Sequence, residues 1–251
     1  MTPRLRLSVV VVTRNEEERL RACLEAVVWA DEIVVVDAES EDKTVAIAQE
    51  FTDCVVVRPW PGYAAQKNTA LDLATGDWVL SLDADEVVSP ELRAEIARVL
   101  ASDGPADGYT VARRNIFWGR WVRHGGLYPD RQLRLFRRGR GRFEGRAVHE
   151  SVRVDGRVES VAGHLEHRSY RDVSDFLLRA DRYSTLAAEE AVAQGQRAGV
   201  SALVLRPLGR FLAMYVVQGG FLDGWRGFLL ATLYAYYVLI RSAKIWERTK
   251  G

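Results

Sequence analysis

The feature that most limits what this chain can become is a fourfold alternation in its first hundred residues, where short β-branched runs take turns with amphipathic stretches. Residues 7–12 read as a strand, and in residues 16–28 Leu20, Cys23, Leu24, Val27 and Val28 recur at helical spacing. The pair repeats as 33–36 with 42–51 and as 54–57 with 63–74. It repeats again as 78–82 with a helix that Ser89-Pro90 opens and that runs to about Leu100. Strands this uniformly apolar are buried on both faces, and strands joined through helices run parallel with right-handed crossovers. The expectation is an α/β fold, a mostly parallel Rossmann-like sheet flanked by helices.

After residue 105 the alternation stops. Gly104-Pro105 and Asp107-Gly108 signal turns, and short β-like pieces at 109–111, 133–136 and 161–165 stand among Gly and Arg, so the sheet is expected to become mixed. A helix returns at 172–194, with Phe176, Leu177, Ala180, Tyr183, Leu186 and Ala187 on one face. Three regions follow: 1–105, 106–170 and 171–251. The formal net charge of +1 conceals a division along the chain, with −11 over residues 1–110, +9 over 111–171 and +3 over 172–251. Cys23 and Cys54 sit in apolar surroundings, as buried thiols of a reducing compartment do, and no secretory signal is visible at the N-terminus. A cytoplasmic location is expected.

The last fifty residues are the most apolar. The longer charge-free run, 227–240, has 14 residues, short of the roughly 20 that cross a bilayer, so it is not expected to span. Trp225, Tyr234, Tyr236, Tyr237 and Trp246, with Arg226, Arg241, Lys244, Arg248 and Lys250, are side chains that settle at a membrane interface. The expectation is an apolar helical extension lying on a membrane; packing on the domain or on a second copy in a homo-oligomer is the alternative.

Ligands of an open parallel sheet bind beyond the carboxyl ends of its strands. Those ends read Thr13-Arg14-Asn15-Glu16, Asp37-Ala38-Glu39 and Asp83-Ala84-Asp85-Glu86, an acidic rim. No G-x-G-x-x-G and no G-x-x-x-x-G-K-[ST] follows an early strand, which argues against nicotinamide dinucleotides and P-loop nucleotides. Carboxylates at such a rim suit Mg2+ or Mn2+, hard ions that bridge a protein to a diphosphate. Asp83 and Asp85 supply that pair, the alternative being an acidic turn before the Ser89 cap. Asp37 can accept the N–H of a pyrimidine ring or cap the next helix, and Lys67 can reach a diphosphate or stand in solvent. His124, His164 and His167 lack zinc-like spacing, and no zinc is expected.

Four segments in order, Val9-Val10-Val11-Val12-Thr13-Arg14-Asn15-Glu16, Ile33-Val34-Val35-Val36-Asp37, Gln66-Lys67-Asn68 and Trp78-Val79-Leu80-Ser81-Leu82-Asp83-Ala84-Asp85, resemble the family 2 inverting glycosyltransferases of GT-A fold. The middle segment, Leu133-Arg134-Leu135-Phe136-Arg137-Arg138 followed by Val148-His149-Glu150, resembles the bacterial subfamily of lipopolysaccharide core β-1,4-glucosyltransferases. The likeness covers about residues 6–170. It departs at Asp37-Ala38-Glu39-Ser40, where many members have paired aspartates followed by Gly-Ser.

The resemblance implies transfer of a hexose, glucose from a UDP sugar, to a lipid-linked cell-envelope glycan such as the lipopolysaccharide inner core, with inversion to a β linkage. Residues 1–105 would bind the nucleotide sugar, 106–170 the acceptor, and 171–251 the inner face of the cytoplasmic membrane. Thr13, Asn15, Glu16, Asp37, Lys67, Asp83 and Asp85 would hold the donor, with the metal on Asp85 and Asp83 and His149 completing its shell or serving as a hydrogen bonder. Inversion needs a base for the acceptor hydroxyl. Glu150 is favoured, with Asp130 in Tyr128-Pro129-Asp130 as the second candidate. The run Arg131, Arg134, Arg137, Arg138, Arg140, Arg142 and Arg146 could meet acceptor phosphates or lipid headgroups, or form a solvated basic face. A sugar-phosphate nucleotidyltransferase and a non-enzymatic polyanion-binding module are the competing readings. The first lacks its glycine-rich loop, and the acidic rim opposes nucleic acid.

Overall fold

The computed structural model describes residues 4–145 and 150–250. These divide into two compact units, one drawn from residues 1–113 and 130–167 and the other from 114–129 and 168–251.

In the first unit β1 (Leu7–Thr13) leads to α1 (Leu20–Glu25), β2 (Glu32–Asp37) to α2 (Thr44–Gln49), β3 (Val55–Val57) to α3 (Tyr63–Leu73), and β4 (Trp78–Asp83), through β5 (Glu86–Val88), to α4 (Pro90–Ser102). The expected βα units are therefore present in order. The remaining strands are β6 (Gly108–Phe117), whose end passes into the second unit with β7 (Arg120–Trp121), and β8 (Asp130–Arg137), β9 (Gly141–Gly145), β10 (Glu150–Val154) and β11 (Val158–His167). The main sheet runs β3-β2-β1-β4-β8-β6-β11-β5, with β7 on β6. The four leading strands pair in parallel. Beyond β4 the pairs β4–β8, β6–β8 and β5–β11 are antiparallel, the mixing expected past residue 105. β9 and β10 form a separate hairpin.

Alternation along β1 builds two cores. Leu7, Val9 and Val11 face a layer that includes Leu20, Cys23 and Leu24 of α1 and Leu92, Ile96 and Val99 of α4. Val10 faces the other way, with Val34, Val36 and Val79, onto Ala70 and Leu71 of α3 and Phe143 of β9. Burial on both faces is why these strands tolerate an unbroken β-branched run. Cys23 is buried within the first layer, and burial pushes its thiol well above the ordinary range. Ser89 caps α4, its Oγ accepting the Leu92 N–H at 3.2 Å with Pro90 in the first turn, as the sequence signalled. The first helix is shorter than its periodicity, and in the turn before it the backbone N–H groups of Glu16 and Glu17 donate to Thr44 Oγ1 and Asp42 Oδ2.

In the second unit α5 (Val173–Ala193), α6 (Val200–Leu212) and α7 (Gly224–Thr249) pack together; α6 continues as a π turn, Ala213–Val217, and a 3-10 turn, Gly220–Asp223, opens α7. Lys244 Nζ on α7 donates to Asp181 Oδ1 at 2.6 Å, Ser184 Oγ at 2.9 Å and Thr185 Oγ1 at 2.7 Å, tying α7 to α5. Counting only charge-free residues understates this region. Val200–Val217 and Gly220–Thr249 are each long and apolar enough to cross a membrane by length and composition, since isolated arginines do not end a helix.

Candidate active site

Parallel register sets the site. Thr13 pairs with Asp37 across β1 and β2, and Val12 with Asp83 across β1 and β4, so three strands deliver their polar ends to one rim. The Asp37 carboxylate is fully buried. Its Oδ2 accepts the hydroxyls of Thr13 at 2.8 Å and Ser40 at 2.5 Å, and its Oδ1 accepts the Ser40 N–H at 2.8 Å. Asn15 is stitched into the same turn: its N–H donates to Ser40 Oγ at 2.8 Å and its Oδ1 accepts the Glu41 N–H at 2.9 Å. Both Asn15 and Glu39 have φ of 54°, the left-handed region that suits Asn or Gly better than Glu. Glu39 occupies the position where the resemblance has glycine.

A chain of alternating charges occupies the end of β4. Asp83 Oδ1 meets Lys67 Nζ of α3 at 2.7 Å, and Asp83 Oδ2 meets Arg134 Nη2 of β8 at 2.5 Å. The same Arg134 nitrogen lies 2.6 Å from Oε1 of Glu86, whose Oε2 accepts the Asp83 N–H at 3.0 Å. Arg113 of β6 continues the chain, 3.5 Å from Glu86 and with two nitrogens on one oxygen of Asp130, Nε–Oδ2 at 2.8 Å and Nη2–Oδ2 at 2.5 Å. Lys67, Arg134 and Glu86 are all buried. Burial works against ionising Asp83, but Arg134 and Lys67 outweigh it and hold the carboxyl well below its ordinary range. The same contest at Asp130, burial against Arg113 and the Gln132 amide, also ends with a lowered value. Arg134 is raised, because Asp83 and Glu86 overcome its desolvation.

Asp85 stands apart from this chain. Its Oδ2 faces His167 Nε2 of β11 at 3.5 Å and Arg19 Nη1 at 3.8 Å, with 13% of its side chain exposed. A carboxylate and an imidazole converging at a strand-end rim are oxygen and nitrogen donors suited to a divalent ion that takes its other ligands from a diphosphate. Asp83, with both oxygens on cations, is placed differently from Asp85.

Of the sequence candidates, Thr13, Asn15, Glu16 and Asp37 lie on the β1 and β2 ends, Lys67 and Asp83 bind each other, and Asp130 joins them through Arg113, Glu86 and Arg134. His149 and Arg146 lie outside the described residues, and Glu150 is described through its backbone, which opens β10 opposite Gly145. Two residues before Gly145, Phe143 exchanges hydrogen bonds with the Asn68 side chain at 2.9 Å each, and its ring lies 5.2 Å from Lys67 Nζ. The hairpin thus runs beside the part of α3 that serves the rim. Arg113 and Arg19 carry no signal in the sequence, Glu86 reads as a rim residue without a role, His167 is set aside for want of zinc-like spacing, and Arg134 groups with a basic surface. The signal for Arg134 was present: a lone charge inside Leu133-Arg134-Leu135-Phe136 can enter a core only when paired. The rest of that Arg run is no single face. Arg142 pairs with Asp72, whereas Arg137 pairs with Asp103 and covers the Trp78 ring at 4.8 Å.

The Glycosyl transferase family 2 model matches residues 8–153, which hold the rim residues of β1, β2, α3, β4, β6 and β8 but not His167. The chain is a family 2 glycosyltransferase. The lipopolysaccharide core biosynthesis glycosyltransferase LpsC of Rhizobium meliloti (strain 1021) is 34% identical over 99% of this chain and 94% of its own. The uncharacterized glycosyltransferase RT0209 of Rickettsia typhi is 30% identical over 96% of this chain and 87% of its own. Among solved structures, the mannosyltransferase PcManGT of Pyrobaculum calidifontis, in complex with GDP-Man and Mn2+, superposes with a TM-score of 0.57 over 98% of this chain and 89% of its own, at 16% identity. That likeness is one of fold, and it identifies the glycosyltransferase sheet as GT-A-like. Family membership sets aside the nucleotidyltransferase and the binding module.

Proposed function

We propose that this glycosyltransferase moves a hexose, glucose from UDP-glucose, onto the lipid-linked inner core of a lipopolysaccharide at the cytoplasmic face of the inner membrane, with inversion. The observation that carries the reading is the split of the D-x-D pair, Asp83 bound to two buried cations and Asp85 turned to His167. The near-full-length likeness to LpsC supports the acceptor class. Asp85 and His167 would hold Mg2+ or Mn2+, which when bound supplies positive charge to the diphosphate as it departs. Lys67 sits where its ammonium can turn from Asp83 toward the same diphosphate. Thr13, Asn15 and the buried Asp37 shape the turn that receives the nucleoside.

Glu150 takes the proton of the acceptor hydroxyl as that oxygen attacks the anomeric carbon. The bond from that carbon to the diphosphate breaks, and its electron pair leaves with the diphosphate. An α-linked donor then gives a β-linked product. Asp130 is the weaker candidate, because a carboxylate stabilised by two nitrogens of Arg113 on its Oδ2 is a poor proton acceptor.

The test is product analysis. With UDP-glucose, Mn2+ and purified inner-core acceptor, the wild type should release UDP and form a β-glucoside. Asp85→Asn should lose both activities, and Glu150→Gln should keep donor binding without transfer. Transfer from GDP-mannose in preference to UDP-glucose would replace the donor, and an α-linked product would refute inversion.

A further inference from the structure

Helix α6 is poorly covered within its own unit, Ala202 being its buried residue. Leu205, Leu208 and Leu212 project outward on it, the first 64% exposed, and Val217, Leu222 and Trp225 extend the apolar surface around the elbow into α7, at 81%, 61% and 58%. Contiguous apolar surface of this kind marks an interaction site. Charge indicates what it meets. From residue 197 to residue 222 the chain carries Arg197, Arg206 and Arg210, all exposed, and no acidic residue. The next acid, Asp223, is turned inward, its Oδ2 accepting the N–H groups of Arg123 and His124 at 3.0 and 2.7 Å. A second copy would set like charges against each other, whereas an anionic lipid surface complements them. Crossing the bilayer is disfavoured, because Arg206 and Arg210 fall in the middle of Val200–Val217 and would lie in hydrocarbon. Helix α7 is also committed on one flank, with Leu230, Leu233 and Ile245 buried and Lys244 clamped to α5.

We propose that α6 and the elbow as far as Trp225 form an in-plane, monotopic anchor for an anionic membrane, with the leucine face in the acyl boundary and Arg197, Arg206 and Arg210 at headgroup level. The inference deepens the reading of a lipid-linked acceptor and rests on it for which membrane is meant; it uses none of the rim residues.

Flotation of the full-length protein with phosphatidylglycerol/phosphatidylcholine vesicles should recover it with lipid, with a blue shift of tryptophan emission, and pure phosphatidylcholine should recover about tenfold less. The double variant Leu205→Glu/Leu208→Glu should lose flotation by about tenfold or more while keeping its circular dichroism and its release of UDP from UDP-glucose. Alkaline carbonate should strip the wild type from vesicles. Retention after carbonate would overturn the in-plane mode, and a protein that sediments as a dimer without binding vesicles would overturn the lipid partner. Flotation without any nucleotide-sugar turnover would leave the anchor standing and remove the catalytic reading instead.

Discussion

Both carboxylate oxygens of the fully buried Glu86 are in use, one on Arg134 and one on the Asp83 N–H, so its charge depends on the guanidinium beside it. Replacing Arg134 by Met would leave that charge next to Asp83 with Arg113, 3.5 Å away, as its remaining cation. We expect a loss of about 3 kcal/mol or more in urea unfolding, from the cost of breaking a buried pair on one side. The lowered carboxyls of Asp83 and Asp130 give a signed pH dependence. Their contribution is complete above the ordinary carboxyl value of 3.8 and is lost as pH falls through the lower folded values. Unfolding free energy should therefore fall steeply below about pH 4, and Asp83→Asn should flatten that fall. Glu39 carries a second expectation at this scale. Its φ of 54°, in the left-handed region, makes Glu39→Gly stabilising by about 0.5–1 kcal/mol, read as a raised melting temperature. The D-x-D pair was legible as residues, but the partners of its two carboxylates were not, because Arg134 and His167 reach it from strands 51 and 82 positions further along the chain.

Elements were legible where burial was uniform. The apolar runs of β1, β2 and β4 appear as strands covered on both faces, β3 is a half-buried edge strand with Val57 50% exposed, and Ser89-Pro90 opens α4 where capping chemistry put it. β5, β9 and β10 escaped the sequence reading, being strands of three to five residues, too short for a period-2 pattern to stand out among Gly and charged residues. The Ser89 cap does more than its motif implied, since its Oγ lies 3.3 Å from the His164 N–H of β11 as well as 3.2 Å from that of Leu92. Ser89→Ala should cost about 1–2 kcal/mol, the upper part of the range for caps, and amide exchange should quicken in both α4 and β11. A plain cap would quicken exchange in α4 alone.

Across the whole molecule, the chain leaves the sheet unit at residue 114, returns at 130 and leaves again at 168. A linear reading has no cue for such a return, since contiguous composition shifts are what mark boundaries in sequence. The sheet unit nonetheless contains the complete rim, so nucleotide binding can be followed through the stability of the protein. The most direct measurement is the melting temperature with Mn2+ alone, UDP-glucose alone and both together, for wild type, Asp85→Asn and His167→Ala. A ligand near a hundredfold over its Kd adds about 2.7 kcal/mol to the folded state. A marked rise is expected in the wild type that needs metal and nucleotide sugar together, is lost in Asp85→Asn and is weakened in His167→Ala. An equal rise in Asp85→Asn, or one that ignores the metal, would rule out a metal-held diphosphate at Asp85.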